Sequence, residues 1–410
     1  MTASTMVDMF RLGITRVALA RNLSGVTGEE RKQFIGSSWT IGLSSIAVIA
    51  VVLYAVVLIF PQPIQNSGFY YFFIFYPVLA LFSFPWGNAL SIQQADQKFD
   101  VILFLMAFNI CVFVLYLLIN YFFFKSEIVW IIIWYIIINL ITSLICIFYN
   151  WDGSRYIFKG TRGIIRIMLK FGKYSMGTSL GSSLLKSADS FILGLSPFLG
   201  TTAVALYSIP IKFTEVMEII IRSFTATAFP RLSKASIENK PDEFRKVFYS
   251  FSGALSFILI PIAVVFAIFS REFVILLGGS QYIEYADGLS IIMIMFIIFS
   301  LFVPIDRFTG IGLDAINRPN KNFYKVMIML SVNIIGDLIA VLVLPIIFPA
   351  ISMITILIFV SVGSIFFQFA GLLTGFYLLK QEIPLRFSMI FSEGLNFYRE
   401  FFKLIKSKIR

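Results

Sequence analysis

Histidine is absent from this 410-residue chain. That excludes imidazole acid–base catalysis, the commonest metal ligand and the side chain that ordinarily titrates near neutral pH. Cysteine is scarce: Cys111 and Cys146 are the only two, each inside an apolar run. Neither a disulfide framework nor a thiolate metal cluster is expected, and no cofactor is implied. Charge is thin as well, at 13% of residues, about half the share of a soluble domain. Apolar residues fill the gap: 59% of the chain is hydrophobic, 47 residues are Phe, and mean hydropathy is +0.90. No soluble fold of this length buries so much apolar surface, so the chain reads as solvated largely by lipid. No cleavable signal peptide is visible, because Asp8, Arg11, Arg16, Arg21, Glu29, Glu30, Arg31 and Lys32 break up the first 33 residues.

A helix needs about 20 apolar residues to cross the hydrocarbon core. Ten such runs are expected, at roughly 34–60, 69–90, 101–124, 128–149, 174–197, 201–230, 247–269, 286–305, 326–348 and 351–379. The half-apolar segment 1–20 reads as the end of a further, partial span. The fold class is therefore an all-α polytopic membrane protein. Its expected organisation is an N-terminal lobe (1–149), a linker (150–173), a C-terminal lobe (174–379) and a basic tail (380–410).

The net charge of +11 would point to nucleic acid in a soluble protein. Here its distribution gives a different reading, and no nucleic-acid partner is expected. Of the 33 basic residues, 26 fall in one set of loops and the tail, and only Lys125 and Arg271 fall in the opposite set. By the positive-inside rule the first set, with the C-terminus, faces the cytoplasm. In a bacterium this is the cytoplasmic (inner) membrane. The outward loops are short, leaving no extracellular domain.

The linker carries Arg162, Arg166 and Lys170 at i, i+4, i+8, with Ile164, Ile165, Met168, Leu169 and Phe171 filling much of the other side. That pattern is an amphipathic helix for the inner leaflet. The aromatic, basic stretch 387–410 reads as a second interfacial helix. A weak internal echo links NALSIQQADQKFD after the second span with GIGLDAINRPNKNFYK after the eighth. Both turns lie on the same side of the membrane, which implies a parallel repeat and two pseudo-symmetric lobes.

Ionisable residues at bilayer depth concentrate in the fifth and sixth spans. Such residues cost ~2.5–3.5 kcal/mol each on insertion scales and mark function by default. The fifth span, YSMGTSLGSSLLKSADSFILGL, carries Lys186 and Asp189 among six serines; the sixth carries Lys212, Glu215, Glu218 and Arg222 in one loose stripe. Helices this polar line protein or water rather than lipid. Two readings stay open. In one the charges only pair, Lys186 with Asp189 and Glu218 with Arg222. In the other they line a hydrated pathway for a charged, polar substrate. Asp337, with Asn333 one turn away, is a cation or proton site or an interhelical contact. Arg11 and Arg16 fall on one stripe with Asp8 and could face the same cavity. With no histidine, ion coupling would run through carboxylates, and Asp189, Glu215 and Asp337 are the candidates, with Glu218 also available.

The stretch SLLKSADSFILGLSPFLGTTAVALYSIPIKF, followed by ATAFPRLSKA, resembles the start of the C-terminal lobe in Wzx-type polysaccharide (O-antigen) flippases of the multidrug/oligosaccharidyl-lipid/polysaccharide exporter superfamily. The matching features are Asp189 before Phe191-Ile192-Leu193-Gly194, the Leu199-Gly200 turn, Tyr207, and Phe229-Pro230-Arg231-Leu232-Ser233. MVDMFRLGITRVALAR and LDAINRPNKNFYK are also similar to their counterparts. Ala205 stands where that family usually has Gly. The family usually has 12 or more spans in two six-helix lobes, so the chain is expected to be an N-terminally truncated member. The resemblance implies two lobes around a central cavity. It also implies a non-enzymatic function: flipping an oligosaccharide carried on undecaprenyl diphosphate from the inner to the outer leaflet, by alternating access. Lys186, Asp189, Lys212, Glu215, Glu218, Arg222, Arg11 and Arg16 are the expected substrate contacts. The expected partners are lipid-linked oligosaccharide, membrane lipids and other polysaccharide-assembly proteins. The rival functions are a cation-coupled drug exporter or lipid II flippase of the same superfamily, a membrane enzyme of polysaccharide assembly, and a non-transporting scaffold.

Overall fold

The computed structural model describes residues 3–65 and 67–409, and among them there is no strand. The helices are α1 (Ala3–Leu23), α2 (Gly28–Ile59), α3 (Pro61–Gln65), α4 (Tyr70–Ala95), α5 (Phe99–Ile119), α6 (Ile128–Phe148), α7 (Arg162–Leu195), α8 (Gly200–Ile237), α9 (Pro241–Ile268), α10 (Ser270–Gly278), α11 (Ala286–Ser300), α12 (Val303–Ala315), α13 (Pro319–Leu338), α14 (Leu344–Ile347), α15 (Met353–Lys380) and α16 (Ser388–Ile409). This is an all-α, multi-pass membrane protein.

Among the described residues eight helical stretches are long and apolar enough to cross a bilayer: 28–59, 70–95, 99–124, 128–148, 241–268, 281–300, 319–347 and 353–380. They coincide with eight of the ten expected spans. The other two are α7 and α8. Both have ample length, 34 and 38 residues, but their serines and charges dilute the apolar signal.

The chain divides into two compact units, 1–180 and 181–410. The first is built from α1 to α6 and the start of α7. Its core joins Trp39, Phe84, Tyr76, Ile92, Met168 and Phe171. The connection after α6 is pinned to this core: Trp39 Nε1 and Asn88 Nδ2 both donate to the Asp152 carbonyl, at 3.0 and 2.9 Å. Gly36 on α2 admits that connection, because a Cβ there would stand 2.3 Å from the Tyr156 carbonyl oxygen. The amphipathic helix expected within 150–173 begins at Arg162 and runs on without a break into the fifth span.

The internal echo has a backbone counterpart. After α4, Gln97 takes a left-handed conformation (φ 58°), and after α12 Asn317 does so (φ 61°). In each turn the next residue's N–H reaches back five positions, Lys98 to the Gln93 carbonyl and Arg318 to the Leu313 carbonyl, at 2.9 and 2.8 Å. This is the Schellman cap, and Asn tolerates its left-handed residue better than most side chains. Asn150 and Asn239 close α6 and α8 in the same way.

In the second unit the eighth span is not one helix. It stops at Ser300 and restarts at Val303 with Pro304 in the first turn. Proline supplies no N–H and suits a helix start rather than an interior. Arg307 and Lys325, expected as loop charges, therefore lie on helices. Lys325 is buried and ion-pairs with buried Asp306 at 2.7 Å. The C-terminal helix α16 packs along α9, where Gly253 and Gly394 meet backbone to backbone and Tyr398 donates to the Ala254 carbonyl at 2.9 Å.

Candidate functional site

Two polar clusters occupy the second unit, and both draw on α7 and α8. The first centres on Glu218. Its carboxylate accepts a short hydrogen bond from Lys186 Nζ of α7. It also pairs with Arg222 one turn along α8 at 3.3 Å and with Arg307 of α12 at 3.4 Å. Three cations on one carboxylate leave an excess of two positive charges. Lys186, Arg222 and Arg307 are each more than a third exposed, while Glu218 is the most sheltered of the four. The expected Glu218–Arg222 pair is present. The expected Lys186–Asp189 pair is not, because Lys186 turns to Glu218 and Asp189 is claimed by other partners.

Those partners form the second cluster. Tyr207 of α8 donates to Asp189 Oδ2 at 2.8 Å, and the Ser364 hydroxyl of α15 approaches the same oxygen at 3.3 Å. Asn333 Nδ2 of α13 bridges two carboxylates, Asp189 Oδ1 at 3.0 Å and Asp337 Oδ2 at 3.2 Å. All five side chains are buried. Within the described structure Asp337 Oδ1 and Asn333 Oδ1 have no hydrogen-bond partner. Gly336 and Gly363 let α13 and α15 close on this point, where an added Cβ on Gly336 would sit 3.2 Å from the Gly363 Cα. Two buried carboxylates joined by one amide concentrate negative charge at a point where Asp337 Oδ1 is left without a partner. The arrangement suits one added positive charge, a proton or a small cation held by oxygen ligands. Among the described residues no group of three or more His, Cys, Asp or Glu is placed to hold a metal.

The remaining candidates take no part in the hydrogen bonds and ion pairs of these two clusters. Lys212 and Glu215 pair with each other on an exposed face of α8 at 2.9 Å. Glu215 therefore has no place in the Asp189 cluster. In the first unit Arg11 is buried, donating to the Ala80 carbonyl at 2.7 Å, to Asp8 at 2.8 Å and to Ser83 at 3.2 Å. Arg16 is exposed. Sequence reading missed Arg307 because it stands just past a hydrophobic run, where it counts as a loop charge. Ser364 was missed because one hydroxyl in an apolar span carries no signal.

Comparison with known proteins identifies the family. The model for the polysaccharide biosynthesis protein family matches residues 28–287. The chain belongs to this family. A Haloferax volcanii protein named as a probable low-salt glycan biosynthesis flippase is 25% identical over 177 residues. That alignment covers 43% of this chain and 36% of the relative, so the chain matches only about a third of that protein's length. Solved structures share the fold at low identity. A MOP superfamily transporter from Pyrococcus furiosus superposes with a TM-score of 0.74 at 14% identity, covering 92% of this chain and 85% of that one. The Vibrio cholerae MATE transporter VcmN in its bent form gives 0.72 at 16%, covering 92% and 87%. The family is therefore that of polysaccharide biosynthesis proteins, and the fold is the one these solved transporters share.

Proposed function

We propose that the protein flips a lipid-linked oligosaccharide, carried on a polyprenyl diphosphate such as undecaprenyl diphosphate, from the inner to the outer leaflet for surface polysaccharide export. In this reading it lies in the cytoplasmic membrane with the basic loops and C-terminus inside. The observation that carries the proposal is the Glu218 cluster. A diphosphate is a compact dianion, and Lys186, Arg222 and Arg307 converge on one point with two charges in excess. Charge-assisted hydrogen bonds from guanidinium suit phosphate oxygens. Glu218 holds the three cations together until phosphate displaces it. A drug exporter for cations would favour the opposite excess.

Asp189, Asn333 and Asp337 supply the coupling element in this proposal. The pair takes up a proton or cation from one side and releases it to the other as the units exchange access.

The test replaces Lys186, Arg222 or Arg307 with Ala in a strain that depends on this protein for surface polysaccharide. Each charged hydrogen bond contributes about 1.5–3 kcal/mol, so each variant is expected to lower export roughly tenfold or more at normal protein abundance. Wild-type export in Lys186→Ala and Arg222→Ala would refute the phosphate site.

A further inference from the structure

Between Asp152 and Asp189 the sequence holds no acidic residue. Within that stretch the first three turns of α7 present Arg162, Arg166, Lys170 and Lys173, all exposed. These four, with Ile165 and Leu169, line an open groove of about 600 Å³. Among the described residues none of the four takes part in an ion pair, whereas Arg31, Lys240 and Arg318 in the other basic loops each reach a carboxylate. Lys173 has instead the ring of Tyr174, 4.8 Å from its ammonium.

The geometry points to a binding site for the phosphodiester headgroups of anionic phospholipids in the inner leaflet. Length supports this placement. At 34 residues, α7 is about 51 Å long, some 20 Å more than the hydrocarbon core it crosses. The basic turns therefore lie at and beyond headgroup level. The four cations are spread along the helix over about 16 Å, too far for one diphosphate to bridge and well matched to a row of separate headgroups. Apolar surface accompanies the charge: Ile167 is 51% exposed, and Phe158, in the connection leading into α7, is 96% exposed. A bare aromatic ring four residues before a row of exposed cations is the composition of a membrane-surface segment, with acyl chains under the ring and phosphates over the cations. This site shares no residue with the Glu218 cluster and does not depend on what the protein transports.

The test counts lipids bound to the purified full chain by native mass spectrometry. Phosphatidylglycerol and phosphatidylcholine are added in parallel, and inorganic diphosphate serves as competitor. The wild type is expected to retain several phosphatidylglycerol molecules in preference to phosphatidylcholine, with the preference fading at high salt. The double variant Arg166→Gln/Lys170→Gln should weaken phosphatidylglycerol binding about thirtyfold, from two charges near a surface. Arg166→Lys/Lys170→Arg should restore it. All four side chains are exposed, so an unchanged melting temperature separates lost binding from lost folding. Equal retention of the two lipids, or undiminished phosphatidylglycerol binding in the Gln variant, would overturn the proposal. So would displacement of all phosphatidylglycerol by a single inorganic diphosphate, which would make the groove a site for one free phosphate ligand.

Discussion

Asp337 and Asp152 are both buried carboxylates with an unpartnered oxygen, and their surroundings assign them different parts. Asp337 shares the bridging amide of Asn333 with a second carboxylate, Asp189. An Asp337→Asn variant removes one of two crowded charges and is expected to keep or raise the melting temperature while abolishing the dependence of export on the driving ion. Loss of folding in that variant would make the cluster a structural contact. Asp152 has no such neighbour. Burial pushes its carboxyl above the ordinary value of 3.8, against two opposing hydrogen bonds from Ser154. A carboxyl raised in the folded state favours folding below its unfolded value and loses that contribution as pH climbs through the folded one. Thermal melts of wild type and Asp152→Asn should therefore diverge in favour of the variant as pH rises from about 3.8; curves that stay parallel would contradict this. At this scale the sequence was partly readable. Lys186, Asp189, Glu218 and Asp337 stood out because charge at bilayer depth is costly. Ser364 did not, and the convergence of Asn333, Ser364 and Tyr207 on Asp189 was not readable either, since it arises only through the packing of four helices.

At the level of elements, helix existence was legible and helix continuity was not. Hydrophobic runs marked eight spans directly, and polar α7 and α8 were still recognisable by length. The break between α11 and α12 was hidden, because Ser300 to Pro304 sits in a run apolar enough to pass as one helix. The break matters for stability: it sets Asp306 in the first turn of α12, facing Lys325 of α13. Lys325 Nζ donates both to the Asp306 carboxylate at 2.7 Å and to its carbonyl at 2.9 Å. Removing one partner of a buried pair strands the other charge and costs about 3–5 kcal/mol. Lys325→Met is therefore expected to lower the melting temperature sharply, and the double variant Asp306→Leu/Lys325→Met to recover much of the loss. Equal melts for the single variant and the wild type would show that the pair adds nothing. The caps show the reverse relation between sequence and structure. The short pattern Asn-Lys-Pro at 239–241 and Asn-Arg-Pro at 317–319 is a C-cap followed by a helix start. It can be read from sequence once the left-handed Asn is known.

For the whole molecule, orientation is the property on which both the phosphate site and the lipid groove depend, and charge counting carries it. The structure buries Lys325 and draws Arg307 to Glu218, but the bias of the remaining basic residues is far too large to be reversed by two residues. The prediction is direct because the chain is nearly free of thiols. With Cys111→Ala and Cys146→Ala as background, Lys125→Cys lies in the connection between α5 and α6, and Lys240→Cys in the connection between α8 and α9. Both side chains are exposed, so neither substitution disturbs a core. A membrane-impermeant maleimide added to intact cells should label Lys125→Cys at once and Lys240→Cys only after permeabilisation. The opposite pattern would put the basic loops outside. The groove on α7 would then face the outer leaflet, and the proposed direction of flipping would have no starting side.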